Sequence, residues 1–420
     1  MRILLLSSFM LLIMAACGTN PVTGKRQVTL MSQAQEINLG RQQYAPSLQS
    51  QGGTYVIDKS LNAYVNNVGQ RLARHSAQPN LPYEFTVLNN DVPNAWALPG
   101  GKIAINRGLL VLLEDEAQLA AVLAHEVVHA AARHGAEQHA SNLGFQLLST
   151  IAQTQTDNAL VNQAMGIGTS GAQAFYSREN ELESDYYGIN YMVREGYAAY
   201  GAVELQQTFL ALSQKNKASS DFLSTFFASH PPSAERVAKN RQRAQNLPTG
   251  KRNKAEFVKA TQQIRRDMPA YDKHLSALKA ARSKDWDQAL KRTLEAIRAQ
   301  PKEARFYITK GQLLNRDDKN TQALSAFASA IILEPDYFQA HLRRGLLYNK
   351  MQQYKNAEAD LSTSHRLLPT QLSSFYLGEI AQRNNNRQQA IQYYRQAQQS
   401  GGDMGKEATG RMQQLGVSIR

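Results

Sequence analysis

The chain of 420 residues has one cysteine, Cys17. A single thiol makes no internal disulfide and no multi-thiolate metal site. Long apolar runs are also missing. The longest, within MRILLLSSFMLLIMAA at the start, extends about 14 residues, too short for a stable bilayer span and shaped like a secretory signal. Acidic residues are sparse towards the C-terminus: residues 261–420 hold 25 Lys plus Arg against 15 Asp plus Glu, net +10, whereas the first 260 residues are 22 against 19, net +3. No nucleic-acid-binding signature accompanies this charge, so it points to anionic membrane surfaces or acidic protein segments and away from nucleic acid. What remains is globular in composition, 42% hydrophobic and 19% charged, and long enough for two or three domains.

Met14-Ala15-Ala16-Cys17 resembles a bacterial lipobox, with Met14 where Leu is usual. The expectation is a signal peptide over 1–16, an acylated Cys17 and a polar, turn-rich tether over 17–32. Two or more acyl chains would hold the protein stably to a membrane. In a diderm host Gly18 after the cysteine resembles an outer-membrane sorting signal, so the expected location is the periplasm, anchored to the outer membrane through Cys17.

The stretch from Glu114 to Glu137 predicts a helix of about 20 residues, with Asp115 as N-cap, Gln118 completing a capping box and Gly135 as the stop. Leu119, Ala120, Val122, Leu123, Val127 and Val128 run almost round it, the pattern of a buried helix. Yet HEVVH places His125, Glu126 and His129 in its middle. Unpartnered polar groups there would cost roughly 2–7 kcal/mol each. Two histidines four residues apart lie about 40° apart around a helix and about 6 Å along it, so both imidazoles can reach one ion. Glu126, about 100° further round, is aimed at a water beside that ion and suits a general base.

Other segments supply context. Helices are expected at about 33–49 and 58–74, a strand in YEFTVLN, and a hairpin over 94–106 with Pro99-Gly100-Gly101 as its turn. That hairpin either covers the metal helix or offers an edge on which an extended peptide pairs. Residues 139–175, rich in Ser, Gln, Gly and Ala, read as a helical arm and a cover over the site. A second helix from Ser177 to about Gly196 carries Arg178, Glu181, Asp185, Ile189 and Met192 on one face. A carboxylate from a second helix completes a His2Glu zinc site; Glu181 is chosen, with Asp185 orienting a ligand histidine and Glu183 left in solvent. Helices follow at about 199–215 and 220–227, and then SHPPSAER, where Pro231 and Pro232 stiffen the loop that bears His230. Three roles stay open for His230: a loop histidine held by backbone, a fourth zinc ligand in a resting state, or an oxyanion donor, a role for which Arg178 is the other candidate.

HEVVH followed by ELESD at 181–185 resembles the M48 family of zinc metallopeptidases, most of all its periplasmic branch with C-terminal tetratricopeptide repeats. NAWALPGG at 94–101, NPVTGK near the start and the HPxxxER element are similar to family patterns too. The resemblance implies one Zn2+ per chain on His125, His129 and Glu181, Glu126 as base, and a zincin-like α+β domain, mostly helical with a small sheet, over 33–248.

After a polar linker at 249–269, a period of 34 residues appears: Pro301, Pro335 and Pro369, and Ala289, Ala323 and Ala357, with Ala390 one residue short of it. Gly311, Gly345 and Gly378 mark small positions, Phe327 and Tyr394 large ones. This predicts four all-α tetratricopeptide repeats over 270–403 and a C-terminal tail over 404–420. The expected function is a zinc endopeptidase that cleaves misfolded or stalled envelope proteins, its repeats docking clients or outer-membrane barrel assembly machinery. The rival is a repeat-based periplasmic adaptor or chaperone with little or gated proteolysis.

Overall fold

A computed structural model describes residues 17–138, 176–215 and 230–418. The expected arm over 139–175 and helix over 220–227 lie outside them. The chain divides into two compact units, one of residues up to 44 and 58–262, the other of 45–57 and 263–420. Among the described residues no helix is long and apolar enough to cross a membrane.

In the first unit the segment expected as a tether is instead folded. β1 (Cys17–Thr19) pairs antiparallel with β2 (Arg26–Val28). The turn between them follows from its residues: Asn20 Oδ1 accepts from the backbone N–H of Val22 (2.8 Å) and Thr23 (3.2 Å), and Gly24 takes φ 73°. An Asx turn and a glycine in the left-handed region close a hairpin that a polar sequence alone disguises as loop. Helices α1 (Gln33–Ser50) and α2 (Lys59–Ala73) follow, the second capped by Asp58 as expected.

The sheet has three strands, β3 (Glu84–Leu88), β4 (Ala95–Leu98) and β5 (Lys102–Asn106), in the order β3-β5-β4. β5 runs parallel to β3 and antiparallel to β4, with Trp96 opposite Ala104. β4 is an edge of this sheet. A short turn of helix, α3 (Arg107–Leu110), leads from β5 towards α4 (Glu116–Ala131), all 16 of whose residues are buried.

Asp115 caps α4 by accepting from Gln118 N at 3.0 Å, and Gln118 Oε1 in turn accepts from Glu114 N at 3.0 Å, one residue before the cap. The helix stops earlier than Gly135. Arg133 adopts φ 64°, and the last carbonyls are taken from outside, Ala131 by Gln78 Nε2 (2.6 Å) and Ala132 by Gln27 Nε2 (3.1 Å). Side-chain donors that satisfy terminal carbonyls end a helix without a glycine.

α5 (Arg178–Arg194) begins on a Ser177 cap and buries Glu181, Ser184, Asp185, Gly188, Ile189 and Met192. It lies close to α4: a Cβ on Gly188 would stand 3.2 Å from His125 N and 3.3 Å from Ala124 C. The bulkier Gly188→Val should therefore part the two helices. We expect about 1–3 kcal/mol of lost stability in urea melts, typical of overpacking, together with weaker zinc uptake. α6 (Tyr200–Lys215), α7 (Ala234–Ala244) and α8 (Lys254–Ala260) complete this unit. The stretch expected as a linker is helical, since α8 buries Phe257 completely and α9 (Gln262–Arg282) starts at once.

The second unit is a stack of helices, α9 with α10 (Trp286–Ala299), α11 (Ala304–Arg316) with α12 (Asn320–Leu333), α13 (Phe338–Lys350) with α14 (Tyr354–Leu367), and α15 (Gln371–Arg383) with α16 (Arg387–Gln399). These are the expected tetratricopeptide repeats. The 34-residue period has a packing cause: a Cβ on Gly311 would lie 2.5 Å from the Phe327 ring, and one on Gly378 2.7 Å from the Tyr394 ring. Leu361 takes the same place opposite Gly345. The expected tail carries α17 (Gly402–Gln414), whose Ala408 and Met412 are buried. Within this unit Gln49 Nε2 donates to Asp336 O at 2.6 Å and Gln49 Oε1 accepts from Phe338 N at 2.9 Å.

Candidate metal centre

α4 and α5 bring His125, His129 and Glu181 together, and the loop before α7 adds His230. One donor atom from each lies within 4.8 Å of all the others, and all four residues are buried. His129 Nε2 stands 3.0 Å from His125 Nε2 and 3.2 Å from Glu181 Oε1; His125 Nε2 is 3.5 Å from Glu181 Oε2. His230 Nδ1 is 3.0 Å from Glu181 Oε1 and its Nε2 is 3.6 Å from Glu126 Oε1.

The donor set fits a metal ion on three counts. His125 Nδ1 faces Asp185 Oδ1 at 3.0 Å and His129 Nδ1 faces His134 Nδ1 at 2.9 Å, so the outer nitrogens are engaged and the two Nε2 atoms point at each other. Facing imidazole lone pairs repel unless a proton or a metal ion lies between them, so this convergence suits a shared cation. The buried charge agrees: the carboxyl groups of Glu126, Glu181 and Asp185 outnumber the guanidinium of Arg236, an excess that a cation offsets. Two histidines and a carboxylate, with no cysteine, are also a donor set that zinc takes in hydrolytic sites.

Electrostatics follow from burial and neighbours. Burial opposes charge on His125, but Glu181 and Asp185 outweigh it and push the pKa up to about 10. Burial alone would raise Glu181; His230, Arg236 and His125 instead hold it well below the usual carboxylate range. Burial raises Glu126 in spite of His230 and His125. Glu126 Oε2 has no hydrogen-bond partner among the described residues, the position of a carboxylate oxygen ready for a water or a substrate N–H.

Two expectations differ from what is found. Arg178 is not brought to the site. It sits in the first turn of α5, its side chain is 70% exposed, and its Nε donates to Glu235 Oε2 at 2.7 Å. The buried cation is Arg236, which forks onto Asp185 (Nε to Oδ2 2.7 Å, Nη2 to Oδ1 2.8 Å) and pairs with Glu181 Oε2 at 2.7 Å. In the sequence it stands in SHPPSAER, beside Glu235 at the start of α7, where nothing local marks its partners. Glu183 is not in solvent either: Asn20 Nδ2 donates to its Oε1 at 2.8 Å and His134 Nε2 lies 3.3 Å away. Tyr176, which nothing in the sequence singled out, stacks on His129 with ring centres 3.8 Å apart. Burial raises its pKa, so its hydroxyl stays protonated.

Beside Glu126 lies a cavity of about 40 Å³ walled by Val122, Ile189, Met192, Leu205 and Phe209. Ser184 Oγ, Gln206 Oε1 and Asn240 Nδ2, on residues lining it, have no hydrogen-bond partner among the described residues.

Residues 59–244 match the model of Peptidase family M48. The beta-barrel assembly-enhancing protease of Escherichia coli K12 is 28% identical over 242 residues, 55% of this chain and 48% of that protein. The mitochondrial metalloendopeptidase OMA1 of Schizosaccharomyces pombe is 33% identical over 178 residues, 42% of this chain and 51% of that protein. The chain thus spans about half the length of these curated relatives. Among solved structures, that of MamA covers 40% of the chain at 16% identity with a TM-score of 0.30. The matched family model encloses both helices of the His-His-Glu cluster, so over residues 59–244 the chain is similar to Peptidase family M48.

Proposed function

We propose that the chain is a zinc-dependent endopeptidase acting on misfolded or stalled cell-envelope proteins, with His125, His129 and Glu181 as zinc ligands and Glu126 as general base. The observation that carries this is the buried donor cluster with an unpartnered Glu126 oxygen one residue from its first histidine. A zinc ion held there supplies Lewis acidity to peptide hydrolysis. Glu126 Oε2 takes the proton of the attacking water and delivers it to the departing amine; its raised pKa favours holding that proton between the two steps. Asp185, fixed by Arg236, holds His125 with its Nε2 directed inward. The edge of β4 offers backbone groups on which an extended substrate can pair. The cavity beside Glu126 suits a small substrate side chain.

His230 supports a resting state in which its imidazole fills the fourth position and keeps water out. Under that reading His230→Ala should raise the cleavage rate severalfold with zinc content unchanged. A fall in rate with zinc retained would rule the gate out. The substrate class rests on the lipobox-like start, through which an acylated Cys17 would hold the protein at a periplasmic membrane, and on the repeats as a docking surface for clients or barrel-assembly machinery. Purified protein incubated with an unfolded outer-membrane barrel protein tests it. Cleavage supports the enzyme; rescue of client assembly without cleavage, equal in wild type and Glu126→Gln, supports the adaptor instead.

A further inference from the structure

The matched peptidase domain begins at residue 59, well after the β1–β2 hairpin. Hydrogen bonds nevertheless run from that hairpin to the metal cluster. We propose that Asn20, Glu183 and His134 form a relay that fixes the tautomer of His129, so that the N-terminal hairpin is a positioning element of the metal site, given the metallopeptidase function.

The proton directions follow from the partners. Asn20 Oδ1 is occupied by the N–H groups of Val22 and Thr23, so its Nδ2 must be the end that meets Glu183 Oε1, at 2.8 Å. An ionised Glu183 only accepts, so His134 Nε2, 3.3 Å from the same oxygen, carries a proton. The relay takes His134 in its neutral form, which with the proton on Nε2 has a bare Nδ1. That atom lies 2.9 Å from His129 Nδ1, and of two facing ring nitrogens one must donate. His129 Nδ1 therefore holds the proton and Nε2 presents its lone pair to the cluster. With Glu183 gone, His134 is free to adopt the opposite tautomer. It would then donate from Nδ1, drive the His129 proton onto Nε2 and remove a ligand.

Burial makes this consequential. His134 is 1% exposed and Asn20 6%, so water does not readily replace either partner. The hairpin is also tied to the end of α4 through Gln27 Nε2 on Ala132 O, three residues after His129. Two bonds from the hairpin, one to the relay and one to the helix end, thus bear on the same ligand. Asp185 performs the equivalent task for His125 directly, through a carboxylate; His129 receives it through an intervening imidazole.

The test uses the full chain and zinc itself. Zinc affinity is measured by chelator competition, and the d–d absorption of the cobalt-substituted protein reports ligand geometry. Glu183→Leu should weaken zinc about 10-fold and alter the cobalt spectrum, as loss of such outer partners does. Asn20→Ala should do so by about threefold or more. Glu183→Gln, whose amide oxygen still accepts from His134, should stay within about threefold of wild type. Affinity within about twofold of wild type in both Glu183→Leu and Asn20→Ala overturns the relay. Equal loss in Glu183→Gln and Glu183→Leu, with a matching fall in the metal-free melting temperature, marks a packing role and overturns it too. A wild type that takes up no zinc sinks the metallopeptidase function itself, a result distinct from either.

Discussion

Glu126→Gln should bind one zinc per chain as tightly as wild type and cleave about 10³-fold more slowly, within the 10²–10⁴-fold typical of a lost general base. The side chains are nearly isosteric, and Glu126 is not needed by its neighbours: one of its oxygens has no partner among the described residues and the other is 3.6 Å from His230. Burial disfavours the carboxylate charge, so the amide costs the fold little. His129→Ala differs in kind, because its Nε2 is a member of the donor cluster and its loss should empty the site. Zinc content by atomic absorption, beside turnover of an unfolded substrate, separates the two. A glutamine variant that keeps more than about one tenth of wild-type turnover would remove Glu126 from the base role.

The readable parts of this chain are those in which chemistry and periodicity coincide. HEVVH and ELESD each occupy one helix, and i to i+4 spacing places the side chains of one helix on a common face before any tertiary contact is known. The repeats are readable because glycine against a large side chain recurs about every 34 residues, Gly311 on Phe327, Gly345 on Leu361 and Gly378 on Tyr394. The unread parts involve partners distant in sequence. Arg236 reaches Asp185 across 51 residues, and Asn20 reaches Glu183 across 163. Arg178 shows the converse error. It has the helical register of Glu181 and Asp185, but register fixes only the angle around the axis. In the first turn, one turn before Glu181, it meets Glu235 at the surface. Polar hairpins such as β1–β2 escape notice because their cue, an asparagine two residues before the N–H it bonds, also marks ordinary loops.

Arg236→Met should be the most destabilising single change at the site. The guanidinium is 4% exposed, binds both oxygens of Asp185, pairs with Glu181 and donates to Pro231 O at 3.2 Å. Methionine fills similar space without charge. Breaking one partner of a buried pair typically costs about 3–5 kcal/mol, because the other charge is left behind. Here two carboxylates lose their cation. The cost should depend on metal: with zinc bound, Glu181 retains a positive neighbour that the chelated protein lacks. Urea melts should therefore show a larger loss in chelator than in zinc. Arg236→Lys should recover only part of it, since an ammonium cannot fork onto Asp185. Adding Asp185→Asn to Arg236→Met should cost less than the sum of the single changes, because the second substitution removes a charge that the first has orphaned. If Arg236→Met unfolds within about 0.5 kcal/mol of wild type in chelator, the size expected of an ordinary surface change, Arg236 is not the counter-charge of this site.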